Sequence, residues 1–359
     1  MTEPLRITFI LASGVQAYAG ILQDRPLGGT ETGLVLLAEA LSKLGCEVTV
    51  ITPHPNPPLS KPLYLPHRAL DDLAETDILV AVREWMPLFV NLKAKKRLLW
   101  TGDAFDQVMT VGIGDKRVTQ AIDSLLTVSN WHRDTLTATS GFPFAKTFVL
   151  RNGIDCSLFS GTENRSRKRL IYSSTPYRGL TFLVPIFKKL KEAHSDCELH
   201  VFSGFTVYAG AGGQEEMKRT YEPLMRELRS LSGCHVHGNC KQSELAREFM
   251  KSSILAYPNT FAETSCITAM EAQAAGCVVV TSDRGALPET VGDAGVLISG
   301  DPSTEEYQAK FITAVDSLFK NDDYWSALSK KSIEQSRERD WANVAERFIS
   351  HSKSLFSGS

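Results

Sequence analysis

Two glutamates, Glu263 and Glu271, stand eight residues apart in FAETSCITAMEAQAAGCVVVTS, a stretch that is otherwise small and apolar. A carboxylate covered by Ile, Ala and Met needs partners, because burying a lone charge is costly. Paired carboxylates can act as the acid and base of a glycosidase, at separations of roughly 5–9.5 Å. A helical path over that spacing gives about 12 Å of rise, which is too long for such a pair. The spacing suits two carboxylates that hold different parts of one elongated ligand through its hydroxyls.

Other candidate groups sit where strands run into helices. Gly28, Gly29 and Thr30 precede an apolar-faced segment, TETGLVLLAEALSKLG. A helix start there offers exposed N–H groups and a positive dipole end to an anion, or a plain cap by Thr30. The pattern is not GxGxxG, and no acidic residue ends the following strand VTVIT, so a dinucleotide fingerprint is missing. SSTPYRGL supplies the hydroxyls of Ser173, Ser174 and Thr175 and the forked cation of Arg178. Arg178 read alone is a surface residue. CHVHGNC contains four residues of the types that ligate zinc, but strand alternation puts Cys234 and the two histidines on opposite faces, and no CxxC is present. No metal site is expected.

These groups need elements to position them. Apolar runs that predict strands fall at 6–12, 47–52, 77–82, 96–100, 124–129 and 146–150. A second series falls at 168–174, 198–203, 234–238, 253–258, 277–282 and 295–299. Helices are predicted at 30–45, 179–193, 214–231, 242–251 and 265–275, and helical segments continue after 302. Strands without clean alternation, separated by helices, imply parallel sheets covered on both faces. The expected fold class is α/β, two doubly wound Rossmann-like domains, with a polar break at RNGIDCSLFSGTENRSRKR. The boundaries are 1–155 and 156–340, and a C-terminal helix, 341–357, is expected to pack back on the first domain. Glu263 then lies in the loop after the strand 253–258. Thr264 or Ser265 caps the next helix, and Glu271 sits two turns inside it. In open parallel sheets that carboxyl edge is where ligands bind.

Composition narrows the classes of function. The chain of 359 residues has a formal net charge of −2, which argues against nucleic acid as the main partner. Arg165, Arg167, Lys168 and Arg169 form a dense basic run, read as a solvated linker, with contact to anionic lipid as the sharper alternative. Seven scattered cysteines form no disulfide framework. LRITFILA reads as a first strand, and no apolar stretch reaches the roughly 20 residues of a membrane span. The expected location is cytoplasmic, with peripheral contact at the inner membrane face left open.

FAETSCITAMEAQAAGCVVVTSDRGALPETV closely resembles the E-x7-E segment of retaining glycosyltransferases of family 4, which have the GT-B fold. RPLGGTETGLVLLAEALSKLGCEVTVIT is similar to that family's glycine-rich loop and first helix. LTVSNWHRDTL, VLRNGIDCSLF, YRGL and VHGNCKQSEL resemble, in order, its serine segment, hinge, Arg-Gly turn and nucleobase-bordering loop. The resemblance implies two domains facing each other across a cleft and transfer of a hexose from a UDP- or GDP-sugar, with UDP the more frequent. The acceptor is a sugar, lipid-linked sugar or other hydroxyl, as in polysaccharide synthesis.

The same resemblance implies roles. Glu271 holds the ribose, Glu263 contacts the donor sugar, and Arg178 balances the departing diphosphate. The backbone of Thr264, Ser265 and Cys266 lies near the phosphates. Gly28, Gly29 and Thr30 close on them from the other domain, Ser174 adds a hydroxyl, and Gly238 with Asn239 borders the base. Asp103 contacts sugar or acceptor. No metal or cofactor is implied. Two departures stand out: Gly102 replaces the usual His before Asp103, and Ser173 to Thr175 occupy the region of a usual Arg. They favour, as an alternative, a sugar-nucleotide-binding protein without transfer activity. An epimerase lacks its acidic and histidine set here, and a phosphorylase its length and cofactor lysine.

Overall fold

A computed structural model describes residues 3–205 and 211–357, with side chains omitted at 211–213. The chain divides into two compact units. One comprises Met1–Ile21, Gly29–Gly153 and Arg339–Ser359; the other comprises Leu22–Gly28 and Ile154–Glu338.

The first unit is built on seven parallel strands. They are β1 (Arg6–Leu11), β2 (Glu47–Thr52), β3 (Leu63–Pro66), β4 (Glu75–Val82), β5 (Lys93–Trp100), β6 (Ser124–Thr127) and β7 (Thr147–Val149). Their order, β3-β2-β1-β4-β5-β6-β7, reverses direction at β1, so the loops after β1 and β4 diverge there. Residues Ile78 to Val82 of β4 are covered on both faces, which is why this strand reads as an unbroken apolar run. β3 is the element that the periodicity misses. It is a four-residue edge strand ending in Pro66, and an edge tolerates a proline that a central strand cannot.

The helix Gly29–Lys43 buries Leu34, Leu37, Ala38 and Leu41 against this sheet. The C-terminal helix Trp341–Ser357 belongs to the same unit, with Trp341, Val344, Ala345 and Phe348 buried. Phe348 meets Phe9 of β1 at 6.0 Å, and His351 stacks on Phe148 of β7 at 3.9 Å while bonding the Ser124 hydroxyl at 2.8 Å. Glycines make room for Trp341. A Cβ on Gly153 would stand 2.6 Å from its indole ring, and one on Gly33 3.2 Å from it.

The second unit has six parallel strands: β8 (Arg169–Ser173), β9 (Glu198–Phe202), β10 (Cys234–Val236), β11 (Ile254–Tyr257), β12 (Val278–Ser282) and β13 (Gly295–Ile298). Their order is β10-β9-β8-β11-β12-β13. β11 and β12 are buried at every position and form the centre of a large apolar core with the helix Leu180–Ala193. The helices Glu305–Lys320 and Asp322–Ser336 complete the unit, as the helical pattern after 302 predicts.

The basic run is not a solvated linker. Arg165 donates to the carbonyls of Ser252 and Ala275, and Arg167 stacks on Trp325 at 4.0 Å while bonding Asp322. Lys168 pairs with Asp196 at 2.8 Å, and Arg169 pairs with Glu248. All four fix the start of β8 to its surroundings. Among the described residues no helix is long and apolar enough to cross a membrane.

Candidate functional site

The carboxyl ends of β8 and β11, adjacent strands, bring four of the polar groups together. β8 ends in Ser173, and the chain turns through Ser174, Thr175 and a short 3-10 turn, Pro176–Arg178. Gly179 then adopts φ +110°, and a Cβ there would lie 2.0 Å from the carbonyl oxygen of Pro258, just beyond β11. Only glycine lets these two loops approach so closely. Arg178 is thereby aimed at the loop after β11. Its guanidinium donates to Glu263 Oε1 at 2.9 Å and lies over the Phe261 ring at 4.5 Å.

Glu263 is buried, 5% exposed, and Tyr257 donates to the same Oε1 at 2.6 Å. Ser174 Oγ lies 3.4 Å from the Tyr257 hydroxyl, so hydroxyl, phenol, carboxylate and guanidinium form one chain. Burial first, then the Glu263 charge, holds the Tyr257 phenol far above the ordinary tyrosine range, so it stays a donor. The backbone around Glu263 is fixed from the other side by Gly285. Its φ is +60°, and a Cβ would come within 2.4 Å of the Glu263 carbonyl oxygen and 2.6 Å of its nitrogen. Ala286 N–H donates to that carbonyl at 2.7 Å.

The helix after this loop starts later than the sequence pattern suggests. It runs Ile267–Ala274, with Cys266 at its N-cap in the left-handed region, φ 62°, and no side-chain cap. Thr264 and Ser265 therefore belong to the turn and do not cap the helix. Glu271 lies one turn in, not two. The segment from Glu263 to Cys266 is not helical, so helical rise does not measure the distance between the two carboxylates. Their partners separate them instead. Glu271 is 6% exposed and accepts from the Gln242 amide at 2.8 Å, in a different hydrogen-bonded set. Burial pushes its carboxyl up to about 7, with the Gln242 bond pulling the other way. The hydroxyl of Ser265 is buried without a partner among the described residues, and its carbonyl accepts from Thr290. The Cys266 thiol is raised well above its usual range by burial and by Glu263, which makes it inert as a nucleophile.

Gly238 follows β10 with φ +77°, and Asn239 lies beside Gly204, where a Cβ would be 2.6 Å from the amide oxygen. Gly28 groups with this second unit.

Gly29 and Thr30 belong to the first unit, as does Asp103. The helix begins at Gly29, so Thr30 is in its first turn and is not its cap. Asp103, 6% exposed, follows β5, and both of its oxygens are held by Arg83, at 2.8 and 3.1 Å. Arg83 follows β4 in the left-handed region, φ 77°, an uncommon place for a long side chain. Its guanidinium also lies 4.0 Å from buried Glu31, which accepts from Ser13 at 3.3 Å. The Asp103 carbonyl contacts buried His132 Nε2 at 2.8 Å, and burial lowers that imidazole to about 4. A Cβ on Gly102 would meet nothing closer than 4.0 Å.

Tyr257, Gln242, Gly285 and Arg83 are among the residues of these networks that escape a reading by motif, with Glu31 and His132 around Asp103. Tyr257 and Arg83 end or follow a central strand, and that position is the signal that could have found them.

Residues 162–339 match the family of glycosyl transferases group 1. HepE of Anabaena, solved in complex with UDP-glucose, is 13% identical, with a TM-score of 0.71 over 97% of this chain and 99% of that one. The fold is GT-B. The MMP alpha-(1->4)-mannosyltransferase of Mycolicibacterium hassiacum is 28% identical over 183 residues, 50% of this chain and 42% of that protein. The alpha-maltose-1-phosphate synthase of Mycolicibacterium smegmatis is 25% identical over 254 residues, 66% of this chain and 64% of that protein. The chain thus spans less than two thirds of the length of these curated relatives.

Proposed function

We propose that this GT-B protein is a glycosyltransferase that moves a hexose from a nucleotide-diphosphate sugar to a hydroxyl acceptor, with the anomeric configuration retained. The observation that carries the proposal is the Arg178–Glu263–Tyr257 network at the carboxyl edge of β8 and β11, inside the region that matches the group 1 family. In this reading Glu263 binds hydroxyls of the donor sugar, and Arg178 stabilises the diphosphate as it leaves. Glu271 binds the ribose, while Gly238 and Asn239 border the base. The backbone of Thr264, Ser265 and Cys266 and the hydroxyl of Ser174 line the phosphates, with Gly28, Gly29 and Thr30 contributing from the start of the helix Gly29–Lys43. The reaction needs no metal or cofactor. UDP-sugar is the preferred donor, and the acceptor is a carbohydrate or a lipid-linked sugar. Contact with anionic lipid is not part of this proposal, because the basic run is engaged within its own unit.

One observation favours the alternative of a sugar-nucleotide binder without transfer activity: both oxygens of Asp103 are already held by Arg83. Incubation with UDP-glucose, UDP-N-acetylglucosamine and GDP-mannose, with and without glycan acceptors, tests the two readings. Release of UDP or GDP that depends on an acceptor supports transfer. Binding without release supports the alternative, and a failure to bind any of the three overturns both.

A further inference from the structure

Outside the candidate site, one face of the second sheet's edge carries three imidazoles and a carboxylate. β9 and β10 pair in parallel with His200 opposite His235, so these side chains leave the sheet on the same side. The two-residue period of a strand adds Glu198 and His237 to that face. One ligand atom from each of Glu198, His200 and His235 lies within 4.8 Å of the others. His200 Nε2 is 3.4 Å from Glu198 Oε2. That is long for a hydrogen bond. That one separation matches the edge of a tetrahedron built on zinc bonds of about 2.0–2.1 Å, roughly 3.3–3.4 Å, while separations of up to 4.8 Å in the set close only when an ion draws the ligands in.

The other side of His200 is arranged as a metal ligand requires. Its Nδ1 lies 3.0 Å from His237 Nε2, and His237 is stacked on Phe202 at 4.4 Å and 6°. With the proton on Nδ1, His200 donates to His237 and keeps its Nε2 lone pair for an ion. Such an outer partner fixes the tautomer and ring orientation of a ligating histidine. The nearby cation, Arg169, is paired with Glu248. The rings of His200 and His235 are stacked, 4.6 Å apart and 30° from parallel, so the exposed His235 must turn for both lone pairs to meet on one ion, and water completes the coordination from its open side.

We propose that Glu198, His200 and His235 form a binding site for a divalent transition metal, with zinc the best match. This differs from the sequence reading of CHVHGNC, in which no metal is expected. Local spacing separates Cys234 from the histidines on β10. It cannot show that the neighbouring strand supplies two more ligands on the histidine face. An ion here ties β9 to the edge strand β10, just before the Gly238–Asn239 turn.

The test is equilibrium dialysis of the chelator-treated full chain against Zn²⁺, with metal analysis and thermal melting of the same samples. The expected result is one Zn²⁺ per chain at micromolar concentration and a rise in Tm. His235→Ala, an exposed position, and Glu198→Gln should each weaken binding by about tenfold or more. Cys240→Ser, which removes the nearby thiol on the loop, should leave it unchanged. Undiminished zinc affinity in His235→Ala, loss of zinc in Cys240→Ser, or no binding by the unaltered chain overturns the proposal. In that last case the pair is the ordinary one, a proton on Nε2 shared with Glu198.

Discussion

Arg178 and Glu263 reach each other from the loops after β8 and β11, with a guanidinium nitrogen 2.9 Å from a carboxylate oxygen. The contact joins two groups that, as the family resemblance casts them, act on different parts of a donor. In the proposed reaction a leaving diphosphate competes with Glu263 for the same cation. Arg178→Ala should lower kcat by about 100-fold or more, while donor KM changes by less than about tenfold. Steady-state kinetics with the donor identified by the screen above decide this. A rise in KM with kcat unchanged would reduce Arg178 to a binding residue. Arg178→Lys, which keeps charge but loses the fork, should fall between the two.

Gly285→Ala tests the backbone behind Glu263. The added methyl meets Glu263 nitrogen and oxygen and the Ala262 carbonyl carbon at 2.4–2.7 Å, at a residue whose φ is +60°. These are backbone atoms and cannot swing aside. Overpacking together with a strained backbone predicts a loss of roughly 1–3 kcal/mol. Donor affinity should fall as well, because the Glu263 loop must move. A variant that melts and binds like the parent would show that the loop tolerates displacement.

Glu271→Gln separates stability from binding through pH. Burial raises the Glu271 carboxyl from its ordinary 4.5 to about 7 in the folded chain. The folded state thus holds a proton that the unfolded chain releases between those values. The associated stability is complete below about pH 4.5 and is lost as pH rises through 7, to the extent of roughly 3 kcal/mol. Glutamine keeps a carbonyl for Gln242 and carries no charge to desolvate. The variant should therefore melt higher than the parent at pH 8 and alike at pH 4.5, while binding UDP more weakly. Equal melting at both pH values would mean that Glu271 is not desolvated, and unchanged UDP affinity would remove it from the ribose.

Much of this fold is legible in the sequence. The parallel strands announced themselves because both faces are covered, so β4, β11 and β12 are apolar without alternation. β3 did not, since an edge strand four residues long has too little covered surface to leave a pattern. The helix onset at Ile267 was hidden by Cys266, whose left-handed backbone nothing in its side chain foretells. Glu263 and Arg178 were individually visible. Their contact was not, because it depends on β8 and β11 being neighbours in the sheet. The same holds for His200 and His235, where register rather than spacing makes the pair.

Trp341→Ala should be among the most damaging changes in the first unit. The indole is 5% exposed and is packed against Gly33 and Gly153, and its loss predicts a cost of about 3–5 kcal/mol. Gly153→Ala attacks the same contact from the backbone side and should destabilise the unit too. Thermal or urea unfolding monitored by tryptophan fluorescence measures both. A Trp341→Ala chain that unfolds at the parental denaturant concentration would mean that the helix Trp341–Ser357 contributes little to its unit.

The position of that last helix also sets an order of events at the ribosome. The second unit is drawn almost wholly from one continuous stretch, Ile154–Glu338, whereas the first needs residues from both ends of the chain. During synthesis the strands β1 to β7 precede the second unit, yet the surface that Phe348 and Trp341 cover stays bare until Trp341–Ser357 has followed the whole of that unit. The first unit begins before its neighbour and is finished after it, and it must wait, partly assembled, while that neighbour folds.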